Sequence, residues 1–240
     1  MPWHPSFRLF IHDEPVRKTV RRSSCWANDK VPTRKHPGKM IHCESTNETA
    51  FARVAEFDPT VLAYFGQPLR LDLKVLGRPA RYTLDFAVVF EEHVEIHEVK
   101  SDRDAEDEEV LARSMAASEA IEAAGGYFSL TTRSMLLTEP RYRNVGRALR
   151  RLHDHIDEGT RSILLDRVRT FPGATALEIA KAASPHCASP ENVLTLIARG
   201  DLRVNLLEEV NRNARVWAPE HFEGQHRVLP FRSVRSNPCD

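Results

Sequence analysis

The 240-residue sequence has no long apolar run, no closely spaced cysteines and no excess of charge of either sign. Nothing in it approaches the roughly 18 consecutive apolar residues that a membrane-spanning helix requires. Met1-Pro2-Trp3-His4 does not open as a signal peptide does, so the expected location is the cytoplasm, with no membrane partner. The four cysteines, Cys25, Cys43, Cys187 and Cys239, lie far apart and form no CxxC pair. That spacing argues against a zinc site and against a disulfide framework, and free thiols are expected.

What is present is the composition of an ordinary globular protein, 41% hydrophobic and 28% charged, long enough for one large domain or two small ones. The zero net charge hides opposed patches. Arg17-Lys18, Arg21-Arg22 and Arg34-Lys35 make the first forty residues basic, Glu91 through Glu109 is strongly acidic, and Arg141 through Arg151 is basic again.

The chain is organised around Tyr82-Thr83-Leu84-Asp85-Phe86, a polar turn at Glu91-Glu92, and Val94-Glu95-Ile96-His97-Glu98-Val99-Lys100. Both flanks are rich in β-branched and aromatic residues, as short strands are. A turn centred on Glu91-Glu92 pairs Phe90 with His93, Val89 with Val94 and Ala87 with Ile96, and so sets Asp85 opposite Glu98. Directly paired residues share a face, with Cβ atoms about 4.5–5.5 Å apart. Lys100 points the same way as Glu98, about 6–7 Å further on. A one-residue slip would break both the acid pair and the apolar pairing, which fixes the register.

Two acids and a lysine at one sheet edge suit metal-dependent phosphodiester hydrolysis. Carboxylate oxygens favour Mg²⁺ or Mn²⁺, which keep several waters and bind through one or two carboxylates plus substrate phosphate. Such an ion lowers the pKa of an attacking water, and a lysine can orient that water or stabilise the pentavalent centre. The alternative reading is a cross-strand charge cluster on a solvated sheet face.

Asp85 followed after twelve residues by Glu98-Val99-Lys100 resembles the PD-(D/E)XK nuclease signature, with Leu84 where that signature has proline. The upstream segments Glu44-Ser45-Thr46-Asn47-Glu48-Thr49-Ala50-Phe51, Glu56-Phe57-Asp58-Pro59-Thr60-Val61 and Gln67-Pro68 sharpen the likeness to the N-terminal domain of TnsA-type transposon endonucleases. The resemblance implies a restriction-endonuclease-like α/β fold with an αβββαβ nuclease core. It also implies that Glu48, Asp85, Glu98 and the Val99 carbonyl hold Mg²⁺ or Mn²⁺, two ions per site, that Lys100 places the water, and that Gln67 supports the site. Glu48 has a competing role. As the fourth residue of an S-x-x-E capping box it would reach back to the Ser45 amide, and Glu44 is then the fallback ligand.

Taken in order, residues 1–40 read as an irregular basic arm, either a disordered tail or a segment that orders on DNA or a partner. Residues 41–156 read as the nuclease domain. It contains a helix from Ser45 to about Phe57, a strand from Val61 to Leu73, a turn at Gly77-Arg78-Pro79, the hairpin, and a helix from Ala105 to about Ala124 closed by Gly125-Gly126. Most of Asp102 to Glu109 is a solvated helix entrance. Tyr127 to Thr131 is a further strand, and a helix from Asn144 to about Ile156 turns Arg147, Arg150 and Arg151 outward, as a stripe for a DNA backbone or as a plain solvated face.

Residues 157–220 read as a smaller winged-helix domain, with helices at Arg161–Arg169, Thr175–Ala183 and Ser189–Arg199 and two strands at Leu202–Leu206 and Ala214–Trp217. The third helix is poor in basic residues, which favours docking to protein over reading DNA. Residues 221–240 form a tail resembling the segment by which TnsA-type proteins contact their regulatory ATPase.

The resemblance implies an endonuclease subunit of a heteromeric transposase that nicks double-stranded DNA at the 5′ side of transposon ends, with a DDE-type transposase subunit and an AAA+ regulatory ATPase as partners. The rivals are a stand-alone nuclease of the same superfamily, of resolvase or restriction type, and a non-catalytic DNA-binding adaptor.

Overall fold

The structure is a computed structural model that describes residues 29–36, 38, 40–183 and 189–234. The contacts divide the chain into two units, one comprising residues 1–56, 60–136 and 229–240, the other 57–59 and 137–228.

The first unit is built on a four-stranded mixed sheet. Its order is β3 (Ala63–Gly66), β6 (Phe86–Val89), β7 (Val94–Lys100) and β8 (Tyr127–Thr132), with β3, β6 and β7 antiparallel and β7 and β8 parallel. Two parallel strands need a long crossover, supplied here by α2 (Glu108–Ala123). Asp107 caps that helix by accepting from the Glu109 and Val110 amides. Gly125, at a φ of 89°, ends it, with the Gly125 amide donating to Glu122 and the Gly126 amide to Ile121.

Strand alternation sends Ala87, Val89, Val94, Ile96, Phe128 and Leu130 to one face, where they bury Ala117 and Ile121 of α2. The other face receives α1 (Thr46–Phe57), whose Phe51 stacks on Phe86 at 4.4 Å and lies 4.9 Å from the ring of His97. A mixed α/β sheet covered on both sides in this way fits a nuclease core.

The expected register is observed. Val89 pairs with Val94, Ala87 with Ile96 and Phe86 with His97, and the Phe90 amide donates to His93 across the turn. The single strand expected over Val61–Leu73 is instead two, β3 and β4 (Arg70–Val75), and the first arm of the hairpin divides into β5 (Arg78–Thr83) and β6. The cause is Gln67-Pro68. Gln67 takes a φ of 46°, and Pro68 has no amide to donate, so the ladder cannot run through. Opposite this break the other strand breaks too, at Leu84-Asp85. The Gln67 amide donates to the Asp85 carbonyl at 2.7 Å and the Leu84 amide to the Leu69 carbonyl at 3.2 Å, so both strands bend together. Beyond the bend β4 and β5 form their own hairpin. Its turn is Leu76-Gly77, both at positive φ, rather than Gly77-Arg78-Pro79.

The expected irregular arm lies mostly outside the described residues, but its end is ordered. β1 (Asp29–Pro32) pairs antiparallel with β2 (Met40–Cys43). Beside it buried Glu56 accepts from the Thr33 hydroxyl at 2.5 Å, the Arg34 amide at 3.0 Å and the Tyr64 hydroxyl at 3.4 Å. Of the four cysteines only Cys43 is described, and it is a buried free thiol. After β8 comes the short α3 (Arg133–Leu136), and the unit is completed by residues near the end of the chain. The Leu130 amide donates to the Arg232 carbonyl at 3.2 Å, and the Arg232 amide to the Ser129 hydroxyl at 2.9 Å, covering the outer edge of β8.

In the second unit α4 (Arg141–Leu149) precedes α5 (Glu158–Thr170), α6 (Ala176–Ala183), α7 (Pro190–Ala198) and the two-residue strands β9 (Arg203–Val204) and β10 (Val216–Trp217), which pair antiparallel. The expected helix over 144–156 is thus shorter and starts earlier. Ser189 caps α7 and Asn192 completes the box, with Pro190 at the first helical position, as its sequence announces. Ser184-Pro185, the expected turn before it, lies outside the described residues. Among the described residues no helix is long and apolar enough to cross a membrane.

Phe51 joins α1 to the sheet through two ring contacts. Phe51→Ala should lower the stability of this unit by about 3–5 kcal/mol, read as a fall in the urea midpoint. An unchanged midpoint would show that the stacking contributes nothing.

Candidate active site

The shared bend at Gln67 and Asp85 releases the Asp85 side chain from the ladder. It turns to β7, where Oδ2 accepts the Val99 amide at 2.8 Å. Lys100, the next residue, reaches both acids, with Nζ 3.9 Å from Asp85 Oδ2 and donating to Glu98 Oε1. Asp85, Glu98 and Lys100 therefore share one side of the sheet.

Their exposures differ in a way that matters. The Glu98 side chain is only 2% exposed, against 17% for Asp85 and 28% for Lys100, so the site is sealed behind Glu98 and open before Lys100. Among the described residues Glu98 Oε2 is buried with no donor within hydrogen-bond distance, and the same is true of Gln67 Oε1. An acceptor in that condition costs free energy unless something supplies positive charge or a donor.

Glu48 sits in the first turn of α1 and is partly buried. Its two proposed roles are not exclusive. Its amide takes the Ser45 hydroxyl as cap at 3.1 Å, while its carboxylate accepts from the Ser45 hydroxyl at 3.0 Å and from the Glu44 amide, not that of Ser45, at 2.8 Å. Burial, then repulsion by Asp85, raises the Glu48 pKa to about 7. Burial, then Asp85, likewise raises Glu98 to about 8, against the opposing pull of Lys100. Lys100 is held charged above its ordinary value by Asp85 and Glu98, with Glu48 adding to them, against the cost of its burial. The four groups thus form one electrostatic set.

The residues fit a hard divalent cation by donor type, an oxygen set with one buried oxygen unsatisfied. They are not preassembled for it. Among the described residues no three His, Cys, Asp or Glu side chains stand as a ready-made ion cage. Lys100 occupies Glu98 Oε1, and uncompensated carboxylates repel one another, so a cation would have to draw the set together.

Sequence reasoning missed two neighbours. Tyr82 lies beside Glu98 and Ser114, and burial together with the Glu98 and Asp85 charges pushes its phenol far up. Its place was legible, since Tyr82 and Leu84 alternate with strand period, but its neighbour on α2 was not. Arg133, at the end of β8, donates to Asn47 Oδ1 at 2.9 Å, beside Glu48. The arginine stripe is not assembled as expected. α4 ends at Leu149, Arg147 pairs with Glu209 at 2.6 Å and Arg151 with Asp154 at 3.0 Å, and Arg150 is the exposed helix end.

Residues 58–133 match the family described as TnsA-like endonuclease N terminal. This stretch is similar to a TnsA-like endonuclease N-terminal domain. The match contains Gln67, Asp85, Glu98, Val99 and Lys100 and begins after Glu48. No curated protein matches the chain.

The raised acids in this TnsA-like domain make stability depend on pH. A carboxylate whose folded pKa lies above its unfolded value near 4.5 keeps its proton in the folded state after the unfolded chain has released it, so the folded state binds more protons between the two values. Stability then falls as pH rises through that window. With divalent ions chelated, the urea midpoint should decline from about pH 5 to about pH 8, and Asp85→Asn should flatten the decline by removing the repulsion felt by both glutamates. A slope equal to wild type in the variant would contradict that coupling.

Proposed function

We propose that the chain is a divalent-metal-dependent DNA endonuclease, the subunit of a heteromeric transposase that nicks the 5′ side of transposon ends in the bacterial cytoplasm. The observation that carries this reading is the meeting of Asp85, Glu98 and Lys100 around a buried, unsatisfied Glu98 oxygen inside a TnsA-like endonuclease domain.

Glu48, Asp85 and Glu98, with the Val99 carbonyl, would hold Mg²⁺ or Mn²⁺, two ions per site. When bound, the metal supplies an acidified water and charge to offset the developing phosphorane. Asp85 is kept in place by the Val99 amide, and Gln67 braces it through the amide that donates to the Asp85 carbonyl. Lys100 carries its proton on Nζ, where it would orient the attacking water and stabilise negative charge at the phosphorus. Burial of Glu98 keeps bulk water from the rear of the site.

The second unit supplies a winged-helix module of α5, α6, α7 and the β9–β10 ribbon. The α7 sequence Pro190–Ala198 contains no lysine or arginine, and Arg147 and Arg151 already have carboxylate partners, which supports docking to a protein. The DDE-type transposase subunit and the AAA+ ATPase are the partners of this reading, and transposon-end duplex its substrate.

The test is nicking of supercoiled plasmid bearing transposon ends, with Mg²⁺ or Mn²⁺, by the chain together with both partner subunits. Asp85→Ala and Lys100→Ala should each cut at least about 10²-fold more slowly, the usual scale for losing one such group, while circular dichroism shows the fold retained. Cutting at the wild-type rate by both variants would overturn the assignment.

A further inference from the structure

The site gathers three carboxylates, and DNA brings a further negative charge for every phosphate. A duplex can approach such a site only if a cation stands beside it. Lys100 is not that cation, because in the ion-free site its charge is engaged by Glu98 and Asp85, and its role in the reading above is at the reacting phosphate.

Arg133 has the right place. It follows Thr132, and Thr132 pairs with Lys100 across the parallel β7–β8 ladder. Its side chain reaches back to α1, where Nη1 donates to Asn47 Oδ1 at 2.9 Å, and Asn47 precedes Glu48. It is exposed. Its neighbour in charge, Asp102, accepts from the amide and hydroxyl of Ser134 instead. Among the described residues Arg133 therefore meets a neutral acceptor and no carboxylate, whereas Arg113 in the same unit pairs with Glu109. One contact to an uncharged amide fixes the direction of the guanidinium without spending its charge. The other nitrogens of its planar fork keep the geometry that suits two phosphate oxygens.

We propose that Arg133, steadied by Asn47, is a phosphate clamp of this site, binding a backbone phosphate of the DNA beside the one that is cut. The proposal rests on the endonuclease reading for its substrate, but it concerns binding and not the chemical step.

The test measures binding of a fluorescein-labelled duplex by the full chain in Ca²⁺, by anisotropy across a series of KCl concentrations, for wild type, Arg133→Ala, Arg133→Lys and Arg147→Ala. Each phosphate neutralised contributes about 0.9 to the slope of log affinity against log salt. Arg133→Ala should bind several-fold more weakly with a slope reduced by about 1. Arg133→Lys should keep the slope, and Arg147→Ala should match wild type. Mn²⁺ binding, followed by electron paramagnetic resonance, should be the same in Arg133→Ala as in wild type. Equal affinity and slope in Arg133→Ala would overturn the proposal. So would loss of Mn²⁺ binding in that variant, which would make Arg133 a brace for α1, or failure of the wild-type chain to bind the duplex. A clamp that holds while nicking proves independent of Asp85 and Lys100 would leave the binding role intact and remove the nuclease reading.

Discussion

Two carboxylates that would repel one another are held by a single ammonium, and most of the first unit is arranged to keep them there. A unit charge pair at about 4 Å interacts by about 4 kcal/mol at an effective dielectric of about 20. Lys100 lies at such a distance from Asp85, and closer still to Glu98. That attraction opposes the burial of Glu98 and the repulsion between the acids, and the raised carboxyl pKa values show it does not cancel them. The cost that remains is met by protons, which both glutamates hold to higher pH than an ordinary carboxylate.

The bend in the sheet turns this electrostatic problem into a position. If β3 and β4 ran on as one strand beside an uninterrupted partner, the Asp85 backbone would be an ordinary rung. Because Pro68 has no amide and Gln67 adopts positive φ, the ladder breaks there, and the Asp85 carboxylate is free to accept from the Val99 amide on the neighbouring strand. The same break directs β4 and β5 toward α2, burying Leu71 and Tyr82 in the core that also holds Ile96 and Leu130. The geometry of the candidate site and the packing of the core are thus consequences of one local interruption.

The hairpin register was readable because alternation admits one solution in which apolar residues pair and acids meet, and the caps of α2 and α7 were readable because their signals are local. The division of the long strand was announced by Pro68 but required its partner strand to be recognised as bending with it. The β1–β2 pairing was hidden because four-residue strands joined by a polar loop carry little periodicity of their own. The end of α4 had no glycine or proline to mark it. Arg199 donates to the carbonyls of Leu152 and Asp154, and this contact from distant sequence holds the chain after Leu149 out of the helix. The role of Arg133 was illegible for a similar reason, since its partner is 86 positions away.

The strip around Arg232 that lies along β8 has a consequence for how the protein is made. A ribosome releases the whole second unit before it reaches the residues that cover this edge. Until then the nascent nuclease sheet presents an open border of backbone amides and carbonyls, the surface through which neighbouring chains most readily join. Fragments shortened to end after Leu136 would keep that border permanently, and any tendency to aggregate would come from the missing cover and not from a fault around Asp85, Glu98 and Lys100.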